Sequence, residues 1–170
     1  LLKAIELQSD NLGDLKILVE TLEKFSANKA NLAKIAENNG IIIISRTLHK
    51  LISRVDTDAQ QKNTVVECEI SCAILAARFA SKEAFKEKVK VSNIIQLLMH
   101  AHSSSMNEAM SKEAMPSYGN FAYDYVEWIE LMNKQGIVKL IEKVLQTFPD
   151  NVRIMELTLV TLSNLMYGND

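Results

Sequence analysis

Glycine and proline are scarce in this chain: five and two in 170 residues. A fold of many short strands needs tight turns, and tight turns need those residues, so the scarcity argues against an all-β fold. Long apolar runs are missing as well. The longest uninterrupted ones span four to six residues, far short of a bilayer crossing. No N-terminal segment has the charged, apolar and small-residue order of a signal peptide. Charge of one sign is lacking too. A net charge of −2 and a pI near 6 leave no basic field to draw nucleic acid or acidic membranes. With Cys68 and Cys72 alone, four apart on an expected helix, a reducing intracellular compartment is the simplest setting, cytoplasmic and compatible with the nucleus.

What is present is helical periodicity. Hydrophobic residues make up 48% of the chain, enough for a continuous core. Over residues 11–27, Leu12, Leu15, Leu18, Val19, Leu22 and Phe25 recur in steps of three and four, which places them on one helical face. A short helix carrying Leu32, Ile35 and Ala36 ends at Asn38-Asn39-Gly40, with Gly40 expected in the left-handed position after it. A third helix takes Ile41, Ile44, Leu48, Leu51 and Ile52 inward. Residues 56–63 read as a loop, 64–80 as a long helix, and 81–90 as a short helix with Phe85 and Val89 inward. A helix from Ile94 and a loop over 101–105 follow. The third long helix, 106–122, contains Pro116, which predicts a kink or a helix that starts there. The pattern ends with a short helix 124–133, a turn at Gly136, a helix 137–147, a break at Pro149 and a long helix 152–167.

These elements repeat. Phe25, Phe79, Phe121 and Leu165 each close an apolar helical run, at spacings of 54, 42 and 44 residues. Gly40, Asn93 and Gly136 each precede another apolar run. A period of 40 to 50 residues in helices is the mark of an α-solenoid. The order short helix, turn, middle helix, loop, long helix resembles the armadillo repeat. Gly40-Ile41, Gly136-Ile137-Val138-Lys139-Leu140-Ile141, Tyr118-Gly119-Asn120-Phe121-Ala122 and Thr161-Leu162-Ser163-Asn164-Leu165 carry the likeness. Departures are Asn93 in place of glycine, and Lys24 and Arg78 where the family often has asparagine. The resemblance implies an all-α right-handed superhelix of about four repeats, the first incomplete, over 1–27, 28–81, 82–123 and 124–170. No capping repeat is visible at either end, which leads us to expect a section of a longer array. Two-helix HEAT repeats are the rival fold. If the short helices at 32–37 and 124–133 merely extended their neighbours, the armadillo reading would fail.

Family members hold partner polypeptides along a groove lined by the long helices. The asparagine position of that groove falls on Lys24, Arg78, Asn120 and Asn164. An asparagine amide can both donate to and accept from a peptide backbone. Lys24 and Arg78 would instead favour acidic side chains. The alternative is that the cations are solvated and the asparagines bond their own repeat. One turn earlier lie Glu20, Ile74, Pro116 and Val160. Nuclear import adaptors of the family carry tryptophan there, so that function is disfavoured. Tyr123 and Tyr125 are interface candidates, while Phe121 and Trp128 fall at packing positions.

The remaining chemistry-bearing residues support no catalyst. Cys68 and Cys72 lack two further ligands of zinc spacing and read as buried packing. His100 and His102 stand at a helix end and read as solvated. The lysine run over 82–90 is interleaved with glutamate and reads as a solvated face. No phosphate-binding glycine loop or metalloprotease signature occurs. The sequence therefore points to a non-enzymatic adaptor that binds a protein or extended peptide, with no cofactor, no metal, no small-molecule substrate, no nucleic acid and no membrane insertion. Lateral docking of the convex face in a larger assembly, or regulation of a small GTPase, are the alternatives.

Overall fold

The computed structural model describes residues 1–8, 10–54, 58–123 and 125–167. These residues form helices joined by short turns, with no strand among them. Four helices are the long ones of the sequence pattern: α2 (Leu12–Ser26), α5 (Ala59–Ala80), α8 (Glu108–Ala122) and α11 (Val152–Tyr167). They lie side by side in chain order, α2 on α5, α5 on α8, and α8 on α11. A second row runs through α1 (Leu2–Leu7), α4 (Gly40–Ile52), α7 (Ile94–Ser105) and α10 (Ile137–Thr147). Three short helices, α3 (Lys29–Glu37), α6 (Lys86–Val91) and α9 (Val126–Lys134), each touch the long helix before them and the second-row helix after them. The core lies between the rows. Leu15, Val19 and Leu22 of α2, Ile41, Ile44 and Leu48 of α4, and Leu75 and Phe79 of α5 are buried there.

The helix starts have local causes. An Asn or Asp side chain precedes every long helix and accepts from the free amides of its first turn. Asn11 accepts from Gly13 N and Asp14 N at 3.0 and 3.2 Å. Asp58 accepts from Gln61 N at 2.8 Å, Asn107 from Met110 N at 2.8 Å, and Asn151 from Ile154 N at 3.1 Å. The second-row helices after α1 start differently. Asn39, Asn93 and Gly136 precede them with φ of 63°, 57° and 83°, in the left-handed region.

Several sequence expectations are corrected by these geometries. The left-handed residue before α4 is Asn39, and Gly40 is the first buried residue of the helix. Gly40 is required for closeness instead: a Cβ there would lie 2.3 Å from Ile35 Cγ2 and 2.5 Å from Ile35 O. Helix α5 starts at Ala59, so 59–63 are not loop; the Asp58 cap and helix-forming Gln and Lys side chains extend it. Residues 56 and 57 of that expected loop, and Asp124 at the expected start of a short helix, lie outside the described residues. Helix α7 runs through 101–105 because Ala101 and His102 are buried against the core. Helix α8 starts at Glu108 on its Asn107 cap and continues through the half-buried Pro116, so Pro116 does not begin it. Residues 81–90 split into a 3-10 turn, Glu83–Phe85, and α6. Phe25 is 56% exposed although Phe79, Phe121 and Leu165 are buried. The short segments α3 and α9 are separate helices and do not extend their neighbours.

Two glycine substitutions test this account. Gly40→Ala must push Ile35 aside and should lower unfolding free energy by about 1–3 kcal/mol. Gly136→Asn should cost less than about 1 kcal/mol. Its neighbourhood is open within 4 Å, and Asn39 and Asn93 already adopt the same conformation. Urea denaturation of both variants distinguishes close packing from backbone conformation; equal losses would contradict it.

Candidate protein-interaction face

A ladder of side-chain hydrogen bonds crosses the row of long helices. Arg78 of α5 donates to Glu23 O of α2 and, at 2.6 Å, to Ser26 Oγ; its Nη2 also meets the Glu23 carboxylate at 2.8 Å. Asn120 of α8 donates from Nδ2 to Ala77 O of α5 at 3.3 Å. Asn164 of α11 donates to Gly119 O of α8 at 3.0 Å. A second rung runs alongside. Ser117 donates to Ala73 O at 3.0 Å, and Thr161 to Met115 O at 2.9 Å. Each accepting carbonyl lies in a helix, where its second lone pair is free to take the extra donor.

These bonds locate the residues that the sequence singled out. Arg78, Asn120 and Asn164 stand in register on neighbouring helices. Arg78 is held by α2, so it is not simply solvated. The asparagines bond the preceding long helix and not their own. Lys24 occupies the matching place on α2 and is exposed. Glu20, Ile74 and Pro116 are half-buried and Val160 is exposed. Glu20 lies 3.8 Å from Lys16, which also pairs with Glu67 at 2.7 Å and so ties α2 to α5. The Glu67 carboxylate holds the Lys16 ammonium above the usual lysine range.

The aromatic candidates separate. Tyr123 is exposed. Tyr125 is engaged: its hydroxyl donates to Glu87 at 3.0 Å, and its ring packs 4.5 Å from Trp128 and receives the Lys86 ammonium at 4.8 Å. Lys86 is buried there and pairs with Glu83, so the lysine run is not wholly a solvated face. Trp128 is buried, with no hydrogen-bond partner for its indole nitrogen among the described residues. Cys68 and Cys72 are buried and free, and burial pushes the Cys68 thiol up to about 12. Among the described residues no group of three or more acidic, histidine or cysteine side chains could hold a metal, and no helix is long and apolar enough to cross a membrane.

Two features carry no plain sequence signal. A cleft of about 920 Å³ opens beside α1 to α4, with Leu22, Phe25 and Ile35 in its wall and Lys3, Lys34 and Arg46 at its rim. His102, expected to be solvated, is buried; its Nε2 lies 2.9 Å from Ser111 Oγ and its Nδ1 3.3 Å from the Tyr118 hydroxyl. His100 is exposed.

Comparison with known proteins gives a likeness of fold alone. No protein-family model and no curated protein matches the chain. A solved structure described as an engineered protein is similar over 98% of this chain and 96% of its own, with 12% identity and a TM-score of 0.50.

Burial gives two groups opposite pH dependences. It holds the Glu69 carboxyl up at about 7, against an ordinary 4.5, with a lowering effect from the Ser105 hydroxyl. The folded chain then binds the proton more tightly than the unfolded one, so this contribution is complete below pH 4.5 and lost as pH rises through 7. Burial, aided by Lys143, pulls His102 down to about 4 from 6.5. That contribution is present above pH 6.5 and lost as pH falls towards 4. The slopes oppose each other in the wild type. Relative to it, His102→Gln should melt progressively lower as pH rises from 4 to 6.5, and Glu69→Gln progressively lower as pH falls from 7 to 4.5. Thermal melts across pH 4 to 7.5 read this out; shifts that change in the same direction with pH in both variants would refute it.

Proposed function

We propose that the chain is an armadillo-like α-solenoid that works without catalysis, as a scaffold binding an extended segment of a partner protein across its long-helix face. The observation that carries this reading is the register of the ladder, which lines up Lys24, Arg78, Asn120 and Asn164 on consecutive helices. The recurring placement of α3, α6 and α9 supports the three-helix unit over a two-helix one. Neither Asn120 Oδ1 nor Asn164 Oδ1 has a partner among the described residues, so each can accept from a peptide N–H. Glu20, Ile74 and Val160 flank that line and supply mixed, weak side-chain contacts. Affinity accumulates over several such contacts because the rigid row sets their spacing. The face alternates Lys16, Glu20 and Glu67, which suits a polypeptide better than a polyanion. A reducing, intracellular setting suits the two free buried cysteines.

Asn120 and Asn164 are poor probes of this face because their loss also loosens the row. Glu20→Lys with Val160→Asp changes the face without touching the ladder. Affinity capture from lysate should lose its main partners with this double variant, by about tenfold or more. The control, Glu37→Lys with Glu130→Lys on the short-helix side, should retain them. The opposite pattern would move the interface to the convex side and replace the groove reading with lateral assembly.

A further inference from the structure

In the second row α4 packs along α7, while α10 meets α7 less closely. One side chain accounts for the difference. Counted from the left-handed residues Asn39 and Asn93, Ser45 of α4 and Met99 of α7 hold the same place. Ser45 donates to Ser92 O and draws α7 onto α4. Met99 has no donor to use in that way, and a cavity of about 330 Å³ opens between α7 and α10. That is the small end of the range that takes organic ligands, about 300–1,000 Å³.

The lining carries donors and, among the described residues, no carboxylate. Met99 and Leu140, both buried, form an apolar floor. Lys139 and Lys143 stand four apart on the face of α10 that looks onto α7, where like charges repel. Lys143 donates to Ser103 O at 3.2 Å, which leaves the rest of its ammonium for a guest. Lys139 has no hydrogen bond or ion pair among the described residues. Gln96 buries its Oε1 without a partner among those residues, so the amide nitrogen is the end it presents to the cavity. The fold does not demand these charges, since the place of Lys139 is Ile42 in α4 and Gln96 in α7. The acid of α10, Glu142, accepts from Gln146 and leaves the lysines without a counterion.

We infer that this cavity binds a phosphate monoester, with the phosphate between Lys139 and Lys143 and the organic part over Met99 and Leu140. Two ammonium groups without a carboxylate are matched by a small anion of nearly double charge, and the Gln96 amide adds a neutral donor. The cavity belongs to the second row, so its fate is separate from that of the long-helix face. Titration of the 15N-labelled chain with O-phosphoserine tests it, at neutral pH and about 0.15 M salt, where distant charges are screened. Backbone amides around Gln96, Ser103 and Lys139, and the Gln96 side-chain amide, should shift along one saturable curve. Serine should give no such shifts, and inorganic phosphate should bind more weakly than phosphoserine. Lys139→Gln and Lys143→Gln should each raise Kd by about tenfold or more. Lys139→Gln should also melt no lower than the wild type, because it relieves a repulsion. Lys29→Gln with Lys62→Gln removes more charge at exposed sites elsewhere and should leave Kd within about twofold. A phosphorylated pentapeptide separates the sources. Tighter binding than free phosphoserine assigns the ligand to a partner's modified side chain, and weaker binding to a small phosphate ester; the site stands in both cases. Shifts that do not saturate or that serine reproduces, equal losses in the distant and the cavity lysine variants, or inorganic phosphate bound as tightly as phosphoserine would each overturn the inference.

Discussion

The register between the long helices is set by side chains that bond main-chain carbonyls across the row. Apolar packing alone leaves such a layer free to slide by small steps, since one aliphatic contact resembles the next. A donor that must find a particular carbonyl does not allow that. Asn164 reaches Gly119 O and Thr161 reaches Met115 O, and these two points fix both the height and the rotation of α11 on α8. The pair Ser117 and Asn120 does the same for α8 on α5. Each bond adds only about 1 kcal/mol to stability, but leaving a buried partner unpaired costs more, and that asymmetry enforces the register.

Small residues make these bonds possible. Gly119 lets α11 approach until its missing Cβ would lie 3.4 Å from Thr161 Oγ1 and 3.5 Å from Asn164 Nδ2. Ala73 and Ala77 serve in the same way on α5. Where α5 meets α2 the acceptor residue is Glu23, which is larger, and a longer donor, Arg78, spans the contact. The two cations of the asparagine positions are therefore not equivalent. Arg78 is consumed by its neighbour, and Lys24 makes no such bond among the described residues.

Much of the helical pattern was legible in the sequence because amphipathic periodicity is a local property. The long helices fell within a few residues of their expected bounds, apart from the earlier start of α5. Asn11, Asp58, Asn107 and Asn151 mark those starts, and their capping chemistry is readable from residue type and position alone. Errors arose where tertiary contacts decided. Gly40 resembles a left-handed turn residue, yet its role comes from the side chain and carbonyl of Ile35. His102 resembles a helix-end residue in solvent, yet Ser111 and Tyr118 enclose it. The candidate face was legible as positions, since the repeat phase aligns them. That Arg78 and the asparagines are bonded across helices was not legible, because it depends on which rows touch.

This double use limits how the face can recognise anything. A side chain whose donor is fixed in the ladder can offer only what remains, so Asn120 and Asn164 present carbonyl oxygens and Arg78 little of its charge. Acceptors of that kind suit backbone amides, which every peptide carries, and they discriminate poorly between sequences. Discrimination then falls to side chains outside the ladder. Glu20 with Lys16 supplies charge at one end of the face, and Val160 supplies apolar surface at the other. A partner selected by such a face would place a basic or polar residue near α2 and an apolar one near α11, with its main chain held between them.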